Sequence, residues 1–544
     1  MPRPAVAIAP APPTSLPPSP PRSISAPAAP VAPALPLTRR ASLNVVAFGL
    51  DFGVKTVVGL VITPLLVERL GAALFGVWEI LGRLAGYVAA VGGQPAEALR
   101  LVVANRQTAA DPATQRRAMG SALIVWLVFL PLAALASALL AWYAPTLSGA
   151  APEWRPAIRA GAALLFAGGV LNALSGLPEA ALHGMNLGYK RMELQAALNV
   201  AGALLTAGAV YAGLGLVGLG GAQLIYAGLC GLCFWALAKG YIGWFGAARP
   251  TRLEVGKMVN LSAWLSGGDL IAKLLLASDV LILGILLSPA VVTTYVLTSF
   301  APRAAVAIHG SAVSAAMPGL GGLIGEGQHE RATLVRRELL VLTWLFVTTV
   351  GVTILLWNRS FVALWVGGGP DHHAGGVVEL LIVLIAAQTA FIRADSYIID
   401  AALQSWLRVV ISTGAVVVTI ACAIVLTRAW GLAGLCVGVI VGRLTQTVAY
   451  PLLARRSVGD RGALVAPGLV RALLVSAVLF ALAIRYADRV APLTWLGWAG
   501  GVAVTVSVAS GLAFAAGLSA ESRRAVVRRV VEIARKRSPK RPSP

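Results

Sequence analysis

Long apolar runs separated by short polar stretches occupy most of the chain between residues 44 and 517. A helix that crosses the hydrocarbon core of a bilayer needs about 20 mostly apolar residues. The runs lack the short alternating segments that are typical of a β-barrel. The pattern therefore predicts an all-α polytopic membrane protein with about 14 transmembrane helices. The predicted spans are 44–67, 73–92, 119–142, 157–178, 194–213, 217–238, 259–287, 290–316, 338–357, 376–400, 406–427, 431–453, 467–487 and 492–517.

The distribution of Lys and Arg supports that count. If the N-terminus is cytoplasmic, the inside segments are rich in basic residues, whereas the outside loops hold few beyond Arg69, Arg155, Arg359, Arg428 and Arg489. Basic residues favour the cytoplasmic side, and a missed helix would reverse the pattern after it. We therefore predict an even number of spans with both termini in the cytoplasm. The inside residues include Arg39, Arg40, Arg100, Arg106, Arg116, Arg117, Lys190, Arg191, Lys239, Arg249, Arg252, Lys257, Arg331, Arg336, Arg337, Arg455, Arg456 and Arg461.

The two ends of the chain differ from its centre. Residues 1–37 carry thirteen of the 32 prolines, mixed with Ala and Ser, and have no uninterrupted apolar core. This composition predicts a disordered cytosolic tail over 1–41 rather than a signal peptide. The segment 519–544 predicts a basic amphipathic helix that binds the anionic lipids of the inner leaflet. A helix that docks on a partner is the alternative for that segment.

Composition agrees with a membrane protein. The chain is 58% hydrophobic and 12% charged, with a mean hydropathy of +0.81, whereas soluble domains are about 25% charged. The formal charge of +22 does not indicate nucleic-acid binding, because the basic residues lie in loops between spans. His372 and His373 could bind a metal, but without further ligands an exposed polar loop is the preferred interpretation. Four cysteines in apolar spans are interpreted as small core residues: Cys230, Cys233, Cys422 and Cys436.

An internal repeat relates the first half of the chain to the second. Asp51 and Lys55 are four residues apart, and Asp269 and Lys273 repeat that spacing 218 residues later. Three further matches follow in the same order. They are FGVWEILGR (75–83) with YVLTSFAPR (295–303), EAAL (179–182) with DAAL (400–403), and GLVGL (215–219) with GLAGL (431–435), at offsets of 220, 221 and 216 residues.

The repeat predicts two pseudo-symmetric lobes of six helices each. Because six is even, both lobes enter the membrane in the same orientation, and transporters with such parallel repeats bind substrate at the repeat interface. The predicted lobes are 42–240 and 256–455, around a central cavity. Residues 465–518 would add two C-terminal helices outside the repeat.

Charged residues within the spans are the candidate functional groups, because each costs about 2.5–3.5 kcal/mol to insert at the bilayer centre. The pairs Asp51–Lys55, Glu79–Arg83 and Asp269–Lys273 have (i, i+4) spacing, so each could be purely architectural. Arg303 has no acid at that spacing, which makes it the stronger functional candidate. The functional hypothesis is a cavity that binds an anionic substrate through its cations, while its acids balance them or bind a coupling H⁺ or Na⁺. The proposed substrate-binding cations are Arg83, Arg303, Lys55 and Lys273, and the proposed ion-coupling acids are Asp51, Asp269, Asp279 and Glu79.

Enzymatic motifs are missing from the sequence. It contains no G-x-x-x-x-G-K-[ST] loop, no H-E-x-x-H and no G-x-S-x-G nucleophile elbow. We therefore predict a protein that is not an enzyme and uses no cofactor. A membrane-embedded polysaccharide polymerase or ligase stays as an alternative, although it would need catalytic residues on a sizeable outside loop.

Several segments together resemble one transporter family. They are ITPLLVERLGAALFGVW (62–78), SDVLILGILLSPAVVTTYVL (278–297), MPGLGGLIGEG (317–327), NRSFVALWVGG (358–368) and the Gly-rich turns GLGLVGLGGA and WGLAGLCVG. In their order and spacing they resemble the polysaccharide transporters, a family of oligosaccharide-lipid flippases. Its superfamily also contains multidrug-and-toxin exporters and the lipid II flippase. The resemblance covers about residues 42–455.

The resemblance implies a function. Members of the family move lipid-linked sugar units, usually on undecaprenyl diphosphate, from the inner to the outer leaflet of the bacterial plasma membrane. They work by alternating access driven by an ion or by the membrane potential. Arg83 and Arg303 occupy places comparable to cations that hold the diphosphate in relatives, and other polysaccharide-assembly proteins are implied as partners. A multidrug exporter of the same fold is the main alternative.

Overall fold

The computed structural model describes residues 37–105, 111–367, 372–403, 405–460, 468–490, 494–520 and 523–524. The described residues are helical almost throughout and include no strand. Most of the predicted N-terminal tail, and nearly all of the predicted amphipathic segment 519–544, lie outside these ranges. The helices of the first half are α1 (Leu37–Val91), α2 (Pro95–Asn105), α3 (Pro112–Leu147), α4 (Arg155–Gly184), α5 (Met192–Tyr211) and α6 (Gly215–Tyr241).

The second half repeats this order of long and short helices and then adds two more. Its helices are α7 (Arg252–Leu286), α8 (Pro289–Thr298), α9 (Phe300–Ser314), α10 (Met317–Gly325), α11 (His329–Val366), α12 (Gly376–Ala401), α13 (Ser405–Gly442), α14 (Leu444–Val458), α15 (Leu469–Ala487) and α16 (Trp495–Leu512).

Eleven helical stretches of the described residues are long and apolar enough to cross a membrane. Two of them are about twice the necessary length and bend at a glycine with positive φ. One lies within α1, which breaks at Gly71 (φ 75°, ψ 163°). The other covers nearly all of α13, which breaks at Gly431 (φ 59°, ψ −136°), together with α14. Helix α7, with 35 residues, is also long enough to cross a membrane but is more polar than these eleven, since it contains Asp269, Lys273 and Asp279. These helices account for the fourteen predicted spans and confirm a multi-pass all-α protein.

Each half contains one short helix after its second span. Helix α2 packs on α3 and α4 in the first half, and α10 packs on α11 and α12 in the second. Since α11 and α12 stand where the repeat places the counterparts of α3 and α4, the short helices occupy equivalent positions. The sequence prediction missed both of them because they are too short to span a membrane. Helices α15 and α16 pack against α11.

The connection between α6 and α7, residues 242–251, is hydrogen-bonded to the start of α3. Arg116 donates a hydrogen bond through Nε to the Trp244 carbonyl (2.9 Å), and the Ala248 amide donates one to the Arg116 carbonyl (3.0 Å). Glu254 in the first turn of α7 accepts from the Thr251 amide (2.8 Å) and from Arg117 Nε (3.1 Å). The Thr251 amide holds the pKa of the Glu254 carboxyl below its usual range. These contacts join α3 and α7 at one end of the helices.

A large apolar cluster joins the two halves near the turns that lead into α8. Its members come from helices of both halves, among them α1, α7, α8 and α11, and include Phe75, Ile80, Leu283 and Trp365. The approach is closest at Gly76, where a Cβ atom would lie 1.9 Å from the carbonyl oxygen of Pro289. Real Cβ atoms do not come this close to an oxygen, so only glycine allows α1 and α8 to pack at this distance.

Replacing Gly76 with Ala should therefore destabilise the contact between the halves. Overpacking of this kind costs about 1–3 kcal/mol, and we expect a lower melting temperature in thermal denaturation of the purified protein. Gly82→Ala is the matched control, since Gly82 lies on the same helix and an added Cβ would meet nothing within 4 Å. That control should gain about 0.5–1 kcal/mol from helix propensity. Equal or higher stability of Gly76→Ala would contradict the packing described here.

Candidate functional site

Asp51 begins a chain of polar side chains inside the first half. Its Oδ2 lies 2.8 Å from Lys55 Nζ, as the (i, i+4) spacing predicts. Its Oδ1 accepts a hydrogen bond from Asn199 Nδ2 of α5 (3.0 Å). Asn199 Oδ1 in turn accepts from Gln195 Nε2 (3.0 Å) and from the Tyr226 hydroxyl (3.2 Å). Asp51 is thus tied to α5 as well as to its neighbour on α1.

The chain continues to the end of α4. Arg191 donates to Gln195 Oε1 (3.0 Å) and forms an ion pair with Glu179. Lys55 stands at the other end, with 59% of its side chain exposed. The result is a line of alternating charges and amides from α1 through α5 to α4, in which each group faces a partner. Such lines hold buried charges in place and can also carry a bound proton or cation.

Asp269 links the halves of the molecule. Its Oδ2 lies 2.6 Å from Lys273 Nζ and accepts a hydrogen bond from Gln94 Nε2 (3.0 Å), which follows α1. The Lys273 side chain passes close to Gly86 of α1, where a Cβ would lie 3.8 Å from Lys273 Cδ. The predicted Asp269–Lys273 pair therefore lies at the contact between α7 and α1.

A second group of charges, the Asp279 cluster, consists of Glu79, Arg83, Asp279, Tyr295 and Arg303. Asp279 Oδ2 accepts from the Tyr295 hydroxyl (2.6 Å) and lies 3.1 Å from Arg303 Nη2, while its Oδ1 accepts from the Val280 amide (2.8 Å). The Arg303 guanidinium carbon also lies 5.3 Å from the centre of the Tyr295 ring. Arg303, which lacks an acid at helical spacing, thus has its partner on the neighbouring helix α7.

Arg83 brings the first repeat to the same cluster. Its Nη2 lies 3.6 Å from Glu79 Oε2, and its charge acts on Asp279 together with that of Arg303. The Arg83 Nε is buried without a hydrogen-bond partner in the part of the chain that the structure describes. Arg83 of α1 and Arg303 of α9, which are matched by the repeat, therefore both contribute charge to this cluster, and Arg303 is the one that contacts Asp279.

A cavity of about 580 Å³ lies in the second half between α7, α12, α13 and α14. We call it the α12 cavity, because one face of α12 supplies Thr389, Arg393, Ser396, Tyr397 and Asp400 to its wall. These residues recur at helical spacing within an otherwise apolar span. The remaining polar and aromatic lining includes Trp264, Asp269, Arg408, Ser412, Arg443, Gln446 and Tyr450.

The α12 cavity contains more positive than negative charge. Asp400 lies 2.9 Å from Arg408 Nε, and Asp269 is paired with Lys273, so both lining carboxylates are neutralised. Arg393 and Arg443 have no carboxylate at salt-bridge distance among the residues described. Arg443 also interacts electrostatically with Asp279 and Arg303. The cavity and the Asp279 cluster are therefore electrostatic neighbours.

The eight predicted site residues thus fall into three groups. Asp51 and Lys55 lie in the polar chain of the first half, Asp269 and Lys273 lie at the α1–α7 contact, and the other four belong to the Asp279 cluster. Among the eight, only Asp269 lines the α12 cavity. The sequence prediction gave Arg393 and Arg443 no role, although the polar stripe of α12 was visible in the sequence.

The loop before α12 differs from its prediction. His373 was expected in an exposed polar loop, but 6% of its side chain is exposed and its Nε2 lies 3.2 Å from Glu379 Oε2. Burial of this pair follows from the first turn of α12 packing over the loop. No group of three or more metal-binding side chains occurs within the described ranges.

Solved structures share this arrangement of helices. A multidrug resistance MATE family transporter of the MOP superfamily, in an inward-facing conformation, has a TM-score of 0.63 at 13% identity, over 77% of this chain and 97% of the other. The lipid II flippase MurJ, in an inward closed conformation, has a TM-score of 0.66 at 12% identity, over 86% and 98%. A MOP superfamily transporter from Pyrococcus furiosus has a TM-score of 0.56 at 14% identity, over 77% and 96%.

The chain has the MATE and MurJ fold. The resemblance inferred from the sequence is thereby confirmed at the level of the fold. No protein-family model and no curated protein matches the sequence. The similarity to known proteins is therefore one of fold, and the residues of the site are interpreted from their geometry in this chain.

The Asp279 cluster makes a prediction about stability. Asp279→Asn should leave Arg303 without its counter-charge in a half-buried position, and we expect a loss of about 1–3 kcal/mol in the free energy of unfolding. Lys55→Gln breaks an exposed pair, which should change stability by about 0.5 kcal/mol or less. Thermal denaturation of both purified variants tests this difference. Equal melting temperatures for Asp279→Asn and the wild type would show that the cluster is not a structural ion pair.

Proposed function

We propose that this protein is a flippase for a lipid-linked oligosaccharide that carries a diphosphate. The observation that carries the proposal is the ion pair of Asp279 with Arg303, in a cluster to which Arg83 of the first repeat also contributes its charge. Two guanidinium groups at the contact between rocking halves can hold the oxygens of a diphosphate by bidentate hydrogen bonds. The substrate-binding set is then Arg83 and Arg303, with Lys55 and Lys273 as further cations.

The same geometry offers a way to couple an ion to the cargo. While Asp279 is ionised, it competes with any anion for Arg303. Protonation of Asp279 would weaken that ion pair and free the arginines for the diphosphate. Asp51, Asp269 and Glu79 complete the proposed ion-coupling set, with H⁺ or Na⁺ as the ion. Asp51 suits this role because it sits in a continuous hydrogen-bonded chain.

The proposal includes an orientation and a mechanism. The repeats 42–240 and 256–455 would act as two lobes that rock around the Asp279 cluster, exposing it to each side of the membrane in turn. Both termini would face the cytoplasm of a bacterial cell, because the basic loops lie on that side. The 519–544 segment would bind anionic lipids, and other polysaccharide-assembly proteins would act with the flippase.

A multidrug exporter is the second candidate, since MATE transporters share the fold over 77% of this chain. Reversed binding-pocket polarity was taken to suggest a different function for the Pyrococcus furiosus protein. In this chain, the cationic residues of the Asp279 cluster and of the α12 cavity favour an anionic cargo over a cationic drug. A polymerase or ligase is less well supported, because the described connections between helices are short, such as 212–214 and 287–288.

The double variant Arg83→Ala/Arg303→Ala tests the flippase proposal. In a strain that lacks the chromosomal copy, we expect it to restore surface polysaccharide at least about tenfold less than the wild type, because charge-assisted contacts to the cargo are lost. Lipid-linked oligosaccharide should accumulate in the same cells. Arg359→Ala is the control, since Arg359 forms an exposed pair with Asp488 far along the chain.

Membrane levels of each variant are measured by immunoblot so that loss of function is separated from loss of protein. Normal polysaccharide at a normal level of the double variant would contradict the flippase proposal. Loss of resistance to cationic dyes in the deletion strain, with polysaccharide unchanged, would favour the exporter.

A further inference from the structure

The α12 cavity contains a buried arginine that makes two hydrogen bonds but has further N–H groups without an acceptor among the described residues. Arg443 donates through Nη1 to Thr389 Oγ1 (2.8 Å) and through Nη2 to the Leu275 carbonyl (3.0 Å). The residue is 7% exposed, and its Nε is buried without a partner in the described part of the molecule. A guanidinium group has five N–H donors. The two hydrogen bonds fix its plane and leave donors for a ligand.

Arg393 stands beside it on the same wall. Arg393 follows Thr389 by four residues on α12, which is about one turn and about 6 Å along the helix axis. Its Nη1 lies against Gly310 of α9, 3.0 Å from where a Cβ would be. Arg393 of α12, and Arg443, which donates a hydrogen bond to Thr389 of the same helix, therefore both line the cavity.

Among the described residues, no carboxylate lies at salt-bridge distance from either of these two arginines. Asp400 is engaged by Arg408, and Asp269 by Lys273 and Gln94. Asp395, two residues after Arg393, lies on the other side of α12 and accepts from Arg336 Nε and Nη2 (3.1 and 2.9 Å). Uncompensated charges are costly within a membrane and mark functional sites. An anion in the cavity would remove this cost.

The cavity also has an aromatic border. Trp264 lines it and stacks with Trp406 at a ring-centre distance of 6.2 Å. The two residues are 57% and 63% exposed. Exposed tryptophans of membrane proteins concentrate at the level of the lipid headgroups. This border places one side of the cavity where a phosphate of a lipid headgroup, or one from the aqueous phase, can reach it.

We propose that the α12 cavity is a binding site for a phosphate or diphosphate group, held by Arg393 and Arg443. A diphosphate presents several charged oxygens and matches the fork geometry of two guanidinium groups better than a single-atom anion does. A cavity of about 580 Å³ lies within the range of small-molecule sites. The proposal does not require flippase activity, since neither arginine belongs to the Asp279 cluster.

Binding of inorganic pyrophosphate to the purified full-length protein in lipid nanodiscs tests the proposal. Isothermal titration calorimetry compares the wild type with Arg393→Gln and Arg443→Lys, and Arg359→Gln is the matched control outside the cavity. We expect each cavity variant to bind at least about tenfold more weakly, because each loses charge-assisted hydrogen bonds, and the control to bind as the wild type does. Arg443→Lys keeps the positive charge but loses the planar guanidinium group, so it tests the hydrogen-bond geometry. Thermal denaturation checks that each variant is folded.

A second arm uses farnesyl diphosphate to identify the source of the phosphate. Tighter binding than inorganic pyrophosphate, with the same dependence on the two arginines, would support the site and assign it to a lipid headgroup. Equal binding of the two probes would support the site and assign it to free diphosphate.

The proposal is overturned if the folded wild type shows no saturable pyrophosphate binding. It is also overturned if folded Arg393→Gln and Arg443→Lys both bind as tightly as Arg359→Gln does. Unchanged binding by the two cavity variants would leave diphosphate binding by Arg83 and Arg303 intact, so that failure is distinguishable from a failure of the flippase proposal.

Discussion

Neutralisation of charge inside a low-dielectric environment is the constraint on which this structure depends. A charged side chain in the hydrocarbon region is costly without a partner, and the helices are arranged so that most such groups have one. Asp51 faces Asn199 of α5, Asp279 faces Tyr295 and Arg303, and Asp395 faces Arg336 of α11. Each contact joins helices that are distant in sequence or separated by a turn. The polar groups therefore fix which helices pack together, beyond what apolar packing alone would specify.

Apolar packing also holds the two halves together. The cluster around Phe75, Ile80 and Leu283 brings α1 against α7 and α8, and Gly76 allows this approach at the Pro289 carbonyl. Close-packed interiors resist gradual deformation, so a transport cycle would have to separate these surfaces as rigid bodies. The Asp279 cluster lies beside this contact, because Asp279 directly precedes Val280 and Leu283 on α7, and both of those residues belong to the apolar cluster. A movement that parts the halves would therefore also open a site at the Asp279 cluster.

The sequence predicted the spans, the repeat and the polar pairs within single helices, because periodicity reports on one helix at a time. Asp51–Lys55 and Asp269–Lys273 form as that periodicity requires. The partner of Arg303 could not be found in this way, because Asp279 lies 24 residues earlier and meets it only when α7 packs beside α9. Asn199 was missed for the same reason, and α2 and α10 were missed because, with 11 and 9 residues, they are too short to form a span-length apolar run. The burial of His373 depends likewise on packing that no local pattern encodes.

Arg393 and Asp395 show how one helix can combine both uses of a buried charge. They are two residues apart on α12, so their side chains point about 200° apart around the helix axis. Asp395 turns toward α11 and forms a buried ion pair with Arg336, which is a contact that stabilises the bundle. Arg393 turns toward the cavity, where the described residues offer it no carboxylate. Most charged side chains within the bundle have a partner, so the few that lack one are informative. Features that reduce stability occur most often at functional sites. Arg393 and Arg443, which have no carboxylate at salt-bridge distance among the described residues, are therefore best understood as residues that bind an anionic ligand.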